Sequence, residues 1–459
     1  KAMSSVSNPS KNQVLPFSEA LKVWVKVAIH SFGGPAGQIA VMHKFLVEEK
    51  KWISENRFLH ALNYCMLLPG PEAQQLATYI GWLLHKKKGG LVAGLLFILP
   101  GFISILILSI LYAAYRDVAI VDAIFFGIKP AVLAIVIGAV IKIGKKALKN
   151  EVMVIMAALA FVAIFFFEMD FPYIVLAAGI TGFLGGKFWE EKFHVIKGHA
   201  DKTEQENDYL IDSHIQQVKP SFKKTLQTIL LYLSLWALPL ILIALWVGVD
   251  SIFFSEGIFF SKTAVVTFGG AYSVLAYIAQ KAVEDYGWLK SGEMLDGLGM
   301  AETTPGPLIQ VVQFVGFMGA YRFAGTMDPL LAGILASLLV TWTTFIPCFL
   351  FIFTGAPYIE YLRGNKSLTT ALSGITAAVV GVVLNLGVWF TIHTLFGKVN
   401  ESHSLGIRWL IPEWETINIP SLVIGLIAAF AYFILKWNML KTILISVICG
   451  ILYHFIFLK

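Results

Sequence analysis

Charge is scarce in this sequence. Only 14% of its 459 residues are Asp, Glu, Lys or Arg, against about 25% in a typical soluble domain. Hydrophobic residues make up 57%, and the mean hydropathy is +0.74. A soluble globular class is excluded, and a polytopic membrane protein is expected. Cysteine is nearly absent: Cys65, Cys348 and Cys449 lie in apolar segments, with neither metal-ligand spacing nor a pairing pattern. They read as small core residues, and no metal is expected. No Walker loop is present, which excludes ATP-driven pumping by this chain. The Gly-rich runs lie in apolar helices and not after strands, so a dinucleotide fold is excluded. No enzyme signature survives, so the chain is read as a non-enzyme without a cofactor. The net charge of +6 sits on loop lysines and points to cytoplasmic loops, not to nucleic acid. The first sixteen residues are polar, and no cleavable signal peptide is expected.

What is present is a duplication. Leu68-Pro69-Gly70-Pro71 separates two apolar segments, 58–68 and 72–84, each too short to span a bilayer, which takes about 20 residues. Proline lacks an amide donor and disfavours helix in the preceding residue, so Pro-Gly-Pro ends one helix and starts another. The tripeptide returns at Pro305-Gly306-Pro307, an offset of 305 − 69 = 236. At that offset Phe32-Gly33-Gly34 meets Phe268-Gly269-Gly270, Trp52 meets Trp288 and Gln74 meets Gln310. Past residue 90 the offset becomes 347 − 100 = 247, aligning Pro100 with Pro347 and Gly127 with Gly374. Eleven extra residues are placed around Arg322 to Asp328.

These alignments divide the chain into a first repeat (1–186), a polar cytoplasmic linker (187–224), an unpaired span (225–249) and a second repeat (250–459). Spans are expected at 91–115, 118–143, 152–167, 173–185, 226–249, 329–353, 368–395, 420–435 and 439–457. Lys86 to Lys88, Lys142 to Lys149, Arg363, Lys366, Lys436 and Lys441 mark the inside. The turns at Arg116-Asp117 and at Glu168 to Asp170, and the loop 396–419, fall outside. The odd span between two copies turns the second upside down. The fold class is therefore all-α, polytopic, with two inverted-topology repeats and broken helices, a recurrent design of secondary transporters.

A helix broken inside a membrane costs several kcal/mol per unpaired backbone group, unless protein or water satisfies it. After each break a helix begins, with about half a positive charge at its free amides. Starts at Pro35, Pro71, Tyr272 and Pro307 can therefore hold an anion. The competing reading is that the breaks only allow close packing or kinks. Short polar residues flank them: Ser31, Gln38, Glu72, Gln74 and Gln75 in the first copy, and Thr267, Ser273, Glu302, Thr303, Thr304, Gln310 and Gln313 in the second. Hydroxyls and amides suit a tetrahedral oxyanion; they serve equally as glue between helices. The candidate contact set is Ser31, Gly33, Gly34, Pro69, Gly70, Pro71, Gln75, Lys129, Thr267, Gly269, Gly270, Thr303, Thr304, Pro305, Gly306 and Pro307. Lys129 stands eleven residues into its span, where an ionisable group is expensive and usually functional. It either faces the anion or pairs with Glu72 or Glu302. Those two carboxylates are the candidates for carrying a proton.

The motifs Phe32-Gly33-Gly34-Pro35, Leu67-Leu68-Pro69-Gly70-Pro71 and Leu99-Pro100-Gly101 resemble the N-terminal half of the chromate ion transporters. Thr267-Phe268-Gly269-Gly270, Gly287-Trp288-Leu289 and Ala301-Glu302-Thr303-Thr304-Pro305-Gly306-Pro307-Leu308 resemble the C-terminal half. Members often carry Gln before Leu-Leu-Pro-Gly-Pro, where this chain has Met66. The resemblance implies a two-repeat membrane transporter that exports chromate, with sulfate as the structural analogue, from a bacterial cytoplasm across the inner membrane. Its partners are then the oxyanion and the lipid bilayer, with a homodimer allowed. A passive anion channel on the same scaffold, or a non-transporting membrane sensor, remains the alternative.

Overall fold

A computed structural model describes residues 15–116, 118–193, 221–268, 270–358, 366–404 and 406–457. Most of the expected linker, and also Asp117, Gly269 and Arg363, lie outside the described residues. The first repeat runs α1 (Phe17–His30), α2 (Gly34–His43, continued as a π-helical segment Lys44–Glu49), α3 (Glu55–Leu67), α4 (Glu72–Tyr115), α5 (Ala119–Ala147), α6 (Glu151–Phe167), α7 (Phe171–Phe188) and the short α8 (Glu190–Phe193). The unpaired span is α9 (Phe222–Trp246). The second repeat runs α10 (Ile252–Val266), α11 (Ala271–Gln280, continued by Lys281–Asp285), α12 (Glu293–Thr303), a 3₁₀ turn Leu308–Gln310, α13 (Val311–Arg322), α14 (Pro329–Gly355) and α15 (Lys366–Leu395). A β-hairpin (β1 Val399–Ser404, β2 Ile407–Pro412), α16 (Ile419–Ala429) and α17 (Met439–Phe457) complete it. The sequence reading has no hairpin between 396 and 419.

Local chemistry sets the helix ends. Side chains of Asn150, Ser251, Asp328 and Asn418 accept the amide of the residue three further on, satisfying one free donor of each first turn. Pro35, Pro172, Pro329 and Pro420 sit in first turns, where a missing amide costs nothing. Within α4, Lys86 adopts φ +53, so the helix folds back at His85-Lys86 into two antiparallel arms. Gly81 and Gly89 let the arms touch: a side chain on Gly81 would strike the Gly89 carbonyl.

Among the described residues, seven helices are long and apolar enough to cross a membrane. Large apolar side chains cover the outside of the bundle, among them Leu159, Leu176, Leu245 and Ile456, all more than 60% exposed. In water such a surface would be an aggregation liability; in lipid it is the solvated face. The protein is an all-α polytopic membrane protein.

The breaks build hairpins. Arg322 at the end of α13 pairs with Glu293 at the start of α12, at 2.6 Å. Lys50, just past the π-helical segment, pairs with Glu19 of α1, at 3.1 Å. Each hairpin leaves and returns to one face. First-repeat hairpin ends join Lys87 to Thr228 at 2.9 Å and His85 to the Leu15 carbonyl at 2.8 Å. Second-repeat ends lie with Asp170, 3.1 Å from Lys281, and with the β-hairpin, whose nearly buried Arg408 lies 2.8 Å from Glu284 and 3.0 Å from Glu401. Helices related by the 247-residue offset pack antiparallel. Gly90 and Gly94 of α4 meet Phe353 and Phe349 of α14, and Gly144 of α5 meets Val380 of α15 while Gly387 meets Val136. The pairing is also exchanged: α5 packs on α17 through Gly127 and Gly450, and α15 on α7 through Gly374 and Gly182.

Lys51 and Lys290, both exposed, stand at the bases of hairpins from different repeats. In a background free of Cys65, Cys348 and Cys449, Lys51→Cys and Lys290→Cys should react with an impermeant maleimide from opposite sides of sealed vesicles. Labelling from one side would sink the opposed arrangement.

Candidate functional site

The four breaks converge. The Gly70 amide donates to the Thr267 carbonyl at 2.7 Å, and the Gly306 amide donates to the Ser31 carbonyl at 3.0 Å. Since 306 − 70 = 236 and 267 − 31 = 236, this is one bond made twice, each time from a Pro-Gly-Pro tip of one repeat to a Gly-Gly break of the other. The tips also seat alike. Gly306 lies on Gly101, and Gly70 on Cys348, partners again related by 348 − 101 = 247. Gly70 and Gly306 hold φ of +126 and +105, open to glycine and strained for other residues. Backbone groups freed by the breaks are thus paired across the repeat boundary, which meets the cost that a membrane imposes on them.

Each Gly-Gly break also receives a carboxylate from the other repeat. Glu302, 1% exposed, places Oε2 3.7 Å from the Cβ position of Gly34 at the start of α2. Its Oε1 accepts a short hydrogen bond from the Tyr272 hydroxyl. Glu72 places Oε1 3.7 Å from the Cβ position of Gly270 at the start of α11. These carboxylates are not repeat counterparts: Glu302 aligns with Met66, and Glu72 with Leu308. Two unrelated positions deliver the same group to equivalent places.

The hydroxyls are turned inward to backbone. Ser31 and Thr267 each donate to the carbonyl four residues back, both at 2.6 Å. Thr303 donates to Gly299 and Met300, Thr304 to Ala301, and Ser273 to Phe268 and Gly270. These bonds are local, within one helix or across its own break; they close helix ends and are not the glue between helices. Gln75 donates to the Pro69 carbonyl at 2.7 Å, and Gln38 reaches the Gly306 carbonyl. The donors left for an anion are the first-turn amides, which have no partner inside their own helix.

Lys129 is not brought to the breaks. It lies 3.5 Å from Asp296, a fully buried carboxylate in the first turn of α12, and close to Gly292. Neither Glu72 nor Glu302 is its partner, which corrects the expected pair. Tyr112 donates to the same Asp296 oxygen at 2.8 Å, and Arg116 to Tyr112 at 3.2 Å. From Asp296 to Thr304 is 304 − 296 = 8 residues, about 12 Å along a helix. Lys129 therefore serves the outer end of α12. Sequence reasoning missed Asp296, Tyr112 and the fully buried Glu256, which packs against Gly316 and Gly319. The signal was available, since Asp296 and Glu256 are ionisable residues within apolar helices.

Helical breaks from two repeats meeting at a buried polar centre define the membrane-transporter class. The chain belongs to the chromate transporter family, whose model matches residues 18–183 and 255–453. These two stretches bracket the linker and α9. It is 24% identical to the chromate transport protein of Cupriavidus metallidurans over 89% of this chain and 92% of that protein. Against the probable chromate transport protein of Synechococcus elongatus the identity is 26%, over 89% and 93%. Against the chromate transport protein of Pseudomonas aeruginosa it is 30%, over 78% and 77%. No solved structure matches the chain.

Proposed function

We propose that this chain is a secondary transporter of tetrahedral oxyanions, chromate and its structural analogue sulfate, that moves its substrate out of a bacterial cytoplasm across the inner membrane. The observation that carries this reading is the pair of crossed bonds, Gly70 to Thr267 and Gly306 to Ser31, which hold the starts of α2 and α11 in one buried polar centre. A dianion there meets amide dipoles, not a buried lysine, and helix ends favour anions by about 0.3–2 kcal/mol each. The relatives named as chromate transport proteins support chromate as substrate. The antiparallel packing of α4 on α14 and of α5 on α15 supports two inverted repeats, 1–186 and 250–459, with α9 as the odd span between them. Carboxylates at both Gly-Gly breaks favour a coupled carrier over an open channel, because a channel needs no titratable group there.

Inside-out vesicles carrying the protein should accumulate labelled chromate in a saturable way, with sulfate competing and a pH gradient changing the rate. Uptake no greater than in empty vesicles would refute the transport reading. Non-saturable uptake indifferent to the gradient would refute the carrier.

A further inference from the structure

We propose that the start of α2 is an anion seat occupied in this conformation by the protein's own Glu302, and that the oxyanion enters only as Glu302 takes up a proton. This rests on the oxyanion reading and adds to it the occupant of the site and the sign of the coupling.

Two independent observations meet at the seat. The first is backbone: Gly33 and Gly34, with φ of +86 and +67, turn the chain so that the ten-residue α2 presents its first amides to the opposite repeat. The second is the side chain aimed there. Glu302 is buried, and its Oε2 has no hydrogen-bond partner among the described residues while lying beside Gly34. A buried, unpartnered carboxylate oxygen is costly and rarely left so without a reason. Here the positive end of α2 supplies one. A carboxylate in the seat stands where an oxyanion oxygen would stand.

Both cannot occupy it charged. Like charges at contact distance repel strongly wherever water is excluded. A proton taken from water onto Glu302 removes the charge that competes with the incoming dianion, and no other group changes charge. The Tyr272 hydroxyl, which now donates to Oε1, can rotate and accept from the protonated carboxyl. The titratable groups facing Glu302 are Tyr272 on α11 and Tyr432 beyond α16, both neutral hydroxyls. Across the repeat boundary Glu72 faces the start of α11, with Cys65 on α3 and the exposed Lys146 at the end of α5 as its charged or titratable neighbours. The mirrored seat has a different electrostatic setting, so proton uptake is assigned to Glu302. Anion and proton then bind in the same conformation.

The test is proton uptake by the purified, full-length protein in weakly buffered detergent solution on adding sulfate, which stays a dianion over the working range. Wild type should take up close to one proton per bound sulfate. Its apparent affinity should strengthen by up to tenfold per unit fall in pH while Glu302 titrates. Glu302→Gln, which carries no competing charge, should bind sulfate with little pH dependence and no proton uptake. Should that variant not fold, the wild-type measurement decides alone. Sulfate binding without proton uptake, or with release, would overturn the seat while leaving the oxyanion reading intact. Absence of sulfate and chromate binding at every pH would remove both. Proton uptake that persists unchanged in a folded Glu302→Gln protein would move the coupling elsewhere and overturn the assignment.

Discussion

Gly306→Ala is expected to abolish transport and to destabilise the protein by roughly 2–5 kcal/mol. Two costs add. The left-handed φ of +105 costs a non-glycine residue about 1–2 kcal/mol. A Cβ there would also stand 2.9 Å from the Gly101 Cα and 3.1 Å from its amide nitrogen, and backbone cannot swing aside. Overpacking of that kind costs about 1–3 kcal/mol. Gly70→Ala carries the same φ cost, but its Cβ would meet the end of the Gln75 side chain at 2.7 Å and Cys348 Sγ at 2.9 Å. Side chains can yield, so the second variant should be milder, near 1–2 kcal/mol. Gly101→Ala probes the same contact from the far side, because its Cβ would meet the Pro305 carbonyl at 2.8 Å with no φ cost. Thermal unfolding of the purified variants should rank Gly306→Ala below Gly70→Ala. Equal stability of Gly306→Ala and wild type would show that the tips do not seat as described.

The second large effect is expected at Lys129. Removing one member of a buried ion pair costs about 3–5 kcal/mol, since the remaining charge has lost its partner. Asp296 is fully buried, whereas the Lys129 side chain keeps 22% exposure, so the two single variants should differ. Lys129→Gln strands a buried carboxylate that retains, among the described residues, only the Tyr112 hydroxyl as hydrogen-bond donor, and should unfold well below wild type. Asp296→Asn leaves a lysine with access to solvent, and should be milder. The double variant should recover most of the loss. A stable Lys129→Gln protein with weakened chromate binding would return this lysine to the anion.

The duplication was legible because proline and glycine punctuate apolar sequence so sharply. Pro69-Gly70-Pro71 and Pro305-Gly306-Pro307 fall where α3 gives way to α4 and α12 to the 3₁₀ turn, and Gly33 and Gly270 cap α2 and α11. Which break meets which was not legible. A one-dimensional offset pairs Gly70 with Gly306, whereas the fold pairs Gly70 with Thr267 and Gly306 with Ser31. That exchange depends on how two repeats dock, which no local propensity encodes. Glu302 and Glu72 were found by charge inside apolar sequence, but their convergence on opposite breaks was invisible because they do not align. Asp296 stands apart from the Gly-Gly and Pro-Gly-Pro motifs, and nothing local marks it as the partner of Lys129. The β-hairpin escaped because Asn400 to Ser404 carries no apolar alternation; Arg408, in contact with Glu284, Glu401 and Glu168, holds it down.

The crossed bonds have a consequence for how the chain comes into being. Ser31 is made early and waits, its carbonyl open, until the ribosome has supplied 275 further residues (306 − 31) and Gly306 arrives. Gly70 waits likewise for Thr267. A half-synthesised molecule already in the bilayer therefore holds an unclosed polar gap at its one tip, Gly70, and its one Gly-Gly break, at Ser31. The second copy heals that gap on arrival, and the first heals the second. Folding of the centre is in this sense a mutual act of the two repeats, finished only when about two thirds of the 459 residues, up to Gly306, are in place.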